Sequence, residues 1–143
     1  MWQYQKKLQR SGVKSCEFIL QRTAGSQRIL YLLEAKRSCP RENVDAYVSD
    51  ILDKMRHSLL LYANILLKRS PSANVPPALS SADLSQKSIR LVLVVKTAEY
   101  HWLAPLQDAF RSAFQQSPDF RIWNVDNIYI INESIARTKG FVI

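Results

Sequence analysis

The sequence has few of the residues that interrupt regular structure or cross-link small proteins. Three glycines and six prolines among 143 residues argue against a low-complexity or loop-dominated chain. The two cysteines, Cys16 and Cys39, form neither a disulfide framework nor a metal-ligand spacing. No apolar stretch approaches the roughly 20 residues that cross a bilayer, and the basic N-terminal segment does not resemble a signal peptide. These absences predict a soluble, cytoplasmic protein that makes no contact with a membrane.

Basic residues outnumber acidic ones, and this excess is the first indication of a partner. The formal net charge is +8 and the isoelectric point is about 9.7. Polyanions such as nucleic acid are the natural partners of such a chain. A moderately basic balance is also common in proteins that bind no nucleic acid, so the charge alone does not decide between the two. With 47% hydrophobic residues, residues 1–143 can build one domain around a single core.

The first half of the chain predicts a β-hairpin. Residues 13–21 and 28–36 have strand composition, and turn residues around Gly25 separate them. The second strand is apolar on both faces from Leu30 to Leu33, which is typical of a central, covered strand. The two strands are therefore predicted to pair antiparallel.

The rest of the chain predicts alternating helices and strands. Apolar residues recur every three or four positions after Asn43, which predicts a long helix with Asn43 as its N-cap. Lys68 and Arg69 are predicted at its carboxyl end, where positive charge suits the helix dipole. A long surface connection is predicted at 70–86, followed by a buried parallel strand at 89–96. A helix at 102–115 is predicted next, with Pro105 in its first turn. The last elements are a strand at 121–131, bent at Asp126 and Asn127, and a short helix that Asn132 caps and Gly140 ends. This order predicts an α/β domain, bordering on α+β, with helices beside a mixed sheet of about four strands.

Two charges end the predicted second strand, in the sequence ILYLLEAKR. Glu34 and Lys36 are two residues apart, so they project from the same face of the sheet. If the loop has four residues, from Ala24 to Gln27, then Thr23 pairs with Arg28 and the hairpin register places Glu17 opposite Glu34. Two carboxylates and a lysine would then meet at one end of a hydrophobic sheet. Mg²⁺ bound by one or two carboxylates, waters and phosphate oxygens suits such a cluster, and the lysine could orient a water and steady the phosphate.

A simpler interpretation stays open at this point. Cross-strand glutamate and lysine also form ordinary solvent-facing pairs. Four further residues are candidates for contacts to a nucleic-acid backbone, although each is also readily explained as a surface residue. They are Lys14, Arg37, Ser38 and Lys54.

In these features the chain resembles the PD-(D/E)XK nuclease superfamily. There, an acid on one strand precedes a short turn, and the next strand is hydrophobic and ends in (D/E)-x-K. The segments CEFIL and LYLLEAK follow this layout, with Glu17 matching the first acid and Glu34 and Lys36 the second motif. The long helix and the IRLVLVVK strand match the core order, so the resemblance covers about residues 13–96. It looks closest to small bacterial or phage-type members with an EAK-S-P strand end, here EAKRSCP.

The resemblance implies a restriction-endonuclease-like core and Mg²⁺- or Mn²⁺-dependent hydrolysis of DNA, rather than RNA, phosphodiester bonds. It implies Glu17 and Glu34 as metal ligands and Lys36 as the residue that positions the attacking water. A homodimer acting on both strands and a defence or mobile-element setting are further implications.

The sequence departs from the superfamily pattern in two places. The usual Pro-Asp is replaced by Cys16 and Glu17, and the residues before the hairpin contain no acid that could supply another metal ligand. Either two carboxylates suffice, or the chain is an N-terminally shortened, inactive form that binds nucleic acid or a protein. Both alternatives stay open on the sequence.

Overall fold

One mixed sheet with the strand order β1-β2-β3-β4-β5 forms the centre of the fold. The computed structural model describes residues 2–6, 18–69, 85 and 87–141. In chain order the elements are β1 (Trp2–Lys6), β2 (Phe18–Ala24), β3 (Gln27–Lys36), α1 (Val44–Leu66), β4 (Lys87–Val95), α2 (Tyr100–Gln116), α3 (Pro118–Ile122), β5 (Val125–Ile131) and α4 (Glu133–Thr138). The α/β class is confirmed. The predicted four strands correspond to β2 to β5, and β1 is an additional edge strand.

The hairpin forms with the predicted register. Strands β2 and β3 pair antiparallel, from Phe18 with Leu33 to Thr23 with Arg28. Ala24 also pairs with Gln27, so the turn has two residues and is tighter than the predicted four-residue loop. Gly25 has φ of 61°, a conformation that glycine adopts without a Cβ penalty.

The other half of the sheet is parallel. Strand β4 lies between β3 and β5 and runs parallel to both. The register with β5 shifts between Ile89 and Arg90, and Asp126 is the extra residue of this bulge. The predicted bend at Asp126 and Asn127 is therefore confirmed. This topology does not by itself establish a restriction-endonuclease-like core, which stays a prediction.

The strand predicted at 121–131 begins too early. Residues Pro118–Ile122 form the short helix α3 instead, with proline at its first position, where the absent N–H breaks no hydrogen bond. Phe120 on this helix is almost fully buried and stacks on Phe114 at 5.1 Å between ring centroids. The predicted strand is therefore wrong at Arg121 and Ile122, which belong to this helix.

Both long helices cover the same face of the sheet. Met55 of α1 and Phe110 of α2 are fully buried in one cluster with Leu30, Leu32 and Leu91. The opposite face carries a smaller cluster, which includes Tyr31, Val92, Ala136 of α4 and Phe141. Successive residues of a strand alternate between these two environments, as the period of two requires.

Helix α1 begins and ends near the predicted residues, but its ends are capped differently from the prediction. Asn43 occupies the N-cap of α1 but has φ of 55° and makes no side-chain cap hydrogen bond. Helix α1 ends at Leu66. Beyond it, Lys68 adopts φ of 58°, and the amide of Arg69 donates to the Asn64 carbonyl, which completes a Schellman motif.

The C-terminal elements also follow the sequence closely. The Asn132 side chain accepts a hydrogen bond from the Ile135 amide at 2.9 Å, which confirms the predicted cap, and Gly140 follows α4 with φ of 83°. Helix α2 begins at Tyr100, so Pro105 lies in its second turn rather than its first. Of the predicted connection at 70–86, only residue 85 is described. No helix in the described part of the chain is long and apolar enough to cross a membrane.

Arg56 joins α1 to α3, and its loss is expected to weaken the fold. Its Nε lies 3.1 Å from Asp119 Oδ2, its guanidinium pairs with Asp53, and it stands 5.6 Å from the centroid of the Phe120 ring. Because the carboxylates are half-exposed, the pairs and the cation–π contact together contribute about 1 kcal/mol.

Arg56→Met should therefore lower the free energy of unfolding by about 1 kcal/mol in a urea titration. The control is Arg111→Met, at an exposed position of α2. Equal effects of the two substitutions would show that the junction between α1 and α3 contributes nothing specific.

Candidate functional site

Glu34 lies near the carboxyl end of β3 and is almost completely buried. Its relative exposure is 2%. Strand β3 is central, and Glu34 shares a face with Leu30 and Leu32, which pack under α1. A carboxylate is costly to bury without compensation, so its partners decide what the site can do.

Two lysines supply that compensation. Lys36 Nζ lies 3.9 Å from Glu34 Oε1, and Lys54 Nζ, from α1, lies 3.8 Å from the same atom. Lys54 Nζ is also 3.9 Å from Asp50 Oδ2, one helical turn earlier. The buried Glu34 Oε2 accepts no hydrogen bond within the described residues. Among the described residues, the cluster thus contains two carboxylates and two ammonium groups.

The shared carboxylate brings the two ammonium groups together, and this alters the acidity of Lys36. The neighbouring Lys54 side chain, followed by burial, lowers the pKa of Lys36 below its ordinary value of 10.5, while Glu34 and Asp50 oppose the shift. Lys36 therefore gives up its proton more readily than an isolated lysine. Stability contributed through this group rises with pH between the lowered pKa and 10.5, because the unfolded chain then binds more protons.

Removing the Lys54 charge is expected to reverse this effect. In Lys54→Met the pKa of Lys36 should move upward, towards 10.5, because the largest cause of its lowering is gone. The measurement is an NMR titration of ¹³C-dimethylated lysines, with Lys36→Arg used to assign the resonance. Lys96→Met, at an exposed position after β4, is the control and should leave the titration unchanged. An unaltered Lys36 titration in Lys54→Met would contradict the proposed coupling.

A cleft opens beyond the carboxyl ends of β3 and β4. The ladder continues past the strands, with the Lys96 amide donating to Lys36 O at 2.9 Å and the Thr97 amide to Arg37 O at 3.0 Å. The cavity measures about 530 Å³, and its lining includes Ser38, Cys39, Thr97 and Trp102. The crevice at the carboxyl ends of parallel strands is the usual ligand site of open α/β sheets.

Burial favours the protonated form of two titratable side chains near this cleft. Burial raises the pKa of the Cys39 thiol, so the reactive thiolate is disfavoured. Burial, with smaller effects of Cys39 and Glu34, also raises the pKa of Tyr47, whose hydroxyl donates to Ser38 O at 3.5 Å. His101 Nδ1 lies 3.3 Å from Glu99 Oε2, but both side chains are exposed. Tyr47 thus links α1 to the loop after β3.

The predicted site residues are brought together in part. Glu34, Lys36 and Lys54 form one cluster. Ser38 lines the adjacent cleft, and Arg37 is exposed beside it, with its carbonyl held by Thr97. Glu17 and Lys14 lie outside the described residues, so their roles stay predictions.

Asp50 is the member of the cluster that the sequence did not single out. Its position four residues before Lys54 is the pattern of a helical ion pair, and this signal could have found it. Among the residues that the structure describes, no group of three or more histidine, cysteine, aspartate or glutamate side chains is placed to hold a metal ion.

Comparisons of the chain with protein-family models, with curated proteins and with solved structures find no match. The functional interpretation therefore rests on the arrangement of side chains at the end of β3.

Proposed function

We propose that the chain is a metal-dependent nuclease of the PD-(D/E)XK type that hydrolyses DNA phosphodiester bonds. One observation supports this most: the buried carboxylate of Glu34 lies within 4 Å of both Lys36 and Lys54 at the carboxyl end of β3. An acid and a lysine on one face of a strand end, beside a cleft, are the parts that this chemistry requires.

A divalent cation fits this cluster only with a further acid. Glu34 and Asp50 are already balanced by Lys36 and Lys54, so a Mg²⁺ or Mn²⁺ ion at Glu34 alone would add unbalanced positive charge. Glu17 is the proposed second ligand, because it would pair with Glu34 if the hairpin register continued one residue before Phe18. Two carboxylates, completed by waters and phosphate oxygens, are a usual Mg²⁺ environment.

Each residue of the cluster has a distinct proposed role. When bound, the metal would lower the pKa of a water and neutralise charge on the phosphodiester. Lys36 would hold the attacking water in line with the phosphorus and stabilise the negative charge that develops. Lys54 would act as a positioning residue that keeps the pKa of Lys36 low. Lys14, Arg37 and Ser38 would contact the nucleic-acid backbone.

A second candidate is an inactive nuclease fold that binds nucleic acid or a protein. Lys54 Nζ lies 3.8 Å from Glu34 Oε1, so an ammonium already neutralises the carboxylate that a metal would otherwise compensate. In this alternative the four charges are a structural network, and removing divalent ions changes nothing.

The proposal extends to partners and setting. DNA is favoured over RNA by the resemblance, and the chain would act in the cytoplasm. A homodimer would allow cleavage of both strands of a duplex.

Incubation with supercoiled plasmid and with single-stranded DNA, in Mg²⁺, Mn²⁺ or EDTA, tests the proposal. The nuclease should nick or cut DNA with either metal and stop in EDTA. No cleavage in any condition, together with an unchanged melting temperature on adding metal, would overturn it in favour of the inactive fold.

A further inference from the structure

The face of the sheet opposite α1 and α2 carries a second concave site. A groove of about 400 Å³ lies on this face, within the range of ligand pockets, about 300–1,000 Å³. Its lining includes three cations and three aromatic residues: Arg22, Arg90, Lys139, Tyr31, Tyr129 and Phe141. The side chains of Glu34 and Lys36 lie on the face of β3 that α1 covers, and the Tyr31 side chain lies on the opposite face. The two sites therefore lie on opposite sides of the sheet.

Four strands and the C-terminal segment build the groove. Arg22 comes from β2, and Tyr31 of β3 pairs in register with Arg90 of β4. Tyr31 is buried and meets the Phe141 ring edge-on, at 5.3 Å and 85°. Both rings are buried and line the groove together with the charged side chains. Helix α4 covers this face of the sheet in part, and Lys139 follows it.

The charged side chains that line the groove are of one sign. Among the described residues that line it, three are cationic and none is acidic. Arg90 Nε lies 3.3 Å from Asp126 Oδ2, in the bulge of β5, so one carboxylate beside the groove offsets part of this charge. An isologous interface with a second copy of the chain would set these cations against each other. The charge therefore favours an anionic ligand over self-association.

Tyr129 adds a stacking surface to this charge. It is 37% exposed, although it lies in the middle of β5 and lines the groove. Bases stack on such rings when they are unpaired, whereas a duplex hides their faces. Cations along a backbone and an aromatic platform for bases together define a single-strand site.

We propose that this groove binds single-stranded nucleic acid, with phosphates at Arg22, Arg90 and Lys139 and a base stacked on Tyr129. The site is independent of the Glu34 cluster and of cleavage. A nuclease could use it to hold an unpaired strand, and an inactive fold would bind through it alone.

Fluorescence anisotropy with a labelled oligodeoxythymidine, in EDTA, tests this site on the full chain. Lys139→Glu should weaken binding about tenfold and reduce the salt dependence, by about 0.7 in the log–log slope for each phosphate that the protein no longer neutralises. Tyr129→Leu should weaken binding about tenfold with the slope unchanged, since stacking releases no counterions.

Matched substitutions separate the groove from the general positive charge. Arg111→Glu changes the net charge as Lys139→Glu does but lies on α2, and Tyr100→Leu removes a tyrosine that is 80% exposed elsewhere. Both should bind nearly as the wild type does, and thermal melts check that every variant is folded. Equal losses in the groove variants and their controls, or equal competition by duplex DNA, would overturn the proposal. Binding that persists in Lys36→Ala would show that the groove binds nucleic acid independently of the proposed nuclease site.

Discussion

Lys36→Ala is expected to reduce metal-dependent DNA cleavage by about 10²- to 10⁴-fold, the range for loss of a group that transfers or orients a proton. The Lys36 side chain is one-third exposed, so the fold should tolerate its truncation. Its Nζ lies 3.9 Å from Glu34 Oε1, close enough to act on a water or phosphate that a metal ion bound by that carboxylate would hold. The initial rate of plasmid nicking in Mg²⁺ measures the effect.

Lys96→Ala is the matched control for this variant. Lys96 is exposed at the corresponding end of β4, and its amide is bonded to the Lys36 carbonyl. It should nick plasmid at nearly the wild-type rate. Cleavage by Lys36→Ala at the wild-type rate would show that any activity lies elsewhere in the chain.

Gln107→Leu is expected to lower the free energy of unfolding by about 2–4 kcal/mol, because it leaves two backbone groups of β5 without their partner. The Gln107 side chain donates to Ile128 O at 2.6 Å and accepts from the Ile130 amide at 2.8 Å. These bonds replace those of a neighbouring strand at the edge of the sheet. Loss of the amide should also promote aggregation through this edge.

Urea denaturation measures the effect, with Gln115→Leu as the control. Gln115 lies on the same helix but is exposed, so the same chemical change should have little effect there. Gln107→Glu keeps an acceptor and loses the donor, and an intermediate loss is expected. Equal stability of Gln107→Leu and Gln115→Leu would contradict this role of the side chain.

The sequence predicted those parts of the fold that short-range rules determine. Turn residues around Gly25 between two segments of strand composition were enough to predict the antiparallel hairpin. The pairing of Thr23 with Arg28, which the sequence allowed only conditionally, is the pairing that the structure has. The Asn132 cap and the bulge at Asp126 were also recognisable from local composition. In each case a few neighbouring residues decide the conformation.

The elements that were missed depend on contacts across the fold. Strand β1 is largely polar, and its pairing with β2 is a tertiary event. Helix α3 was not predicted, and its last two residues were assigned to the strand at 121–131, although Ser117 and Pro118 are a helix-start signal.

In the candidate site, too, the features set by neighbouring residues were predictable and those set by contacts across the fold were not. The common face of Glu34 and Lys36 follows from strand geometry and was predictable. The contact of Lys54 with Glu34 depends on how α1 rotates over the sheet, which no local pattern specifies. Glu34 was expected beside Glu17 and Lys36. The structure confirms the contact with Lys36 and adds Lys54, whereas Glu17 lies outside the described residues.

A titration with Mn²⁺, followed by electron paramagnetic resonance, tests the central claim most directly, because that claim is a divalent-cation site at Glu34. Wild type should bind one ion per chain. Glu34→Gln, which keeps the side-chain shape and removes the charge, should weaken binding at least tenfold, and so should Glu17→Gln. No binding by the wild type, or equal binding by the wild type and Glu34→Gln, would contradict the account.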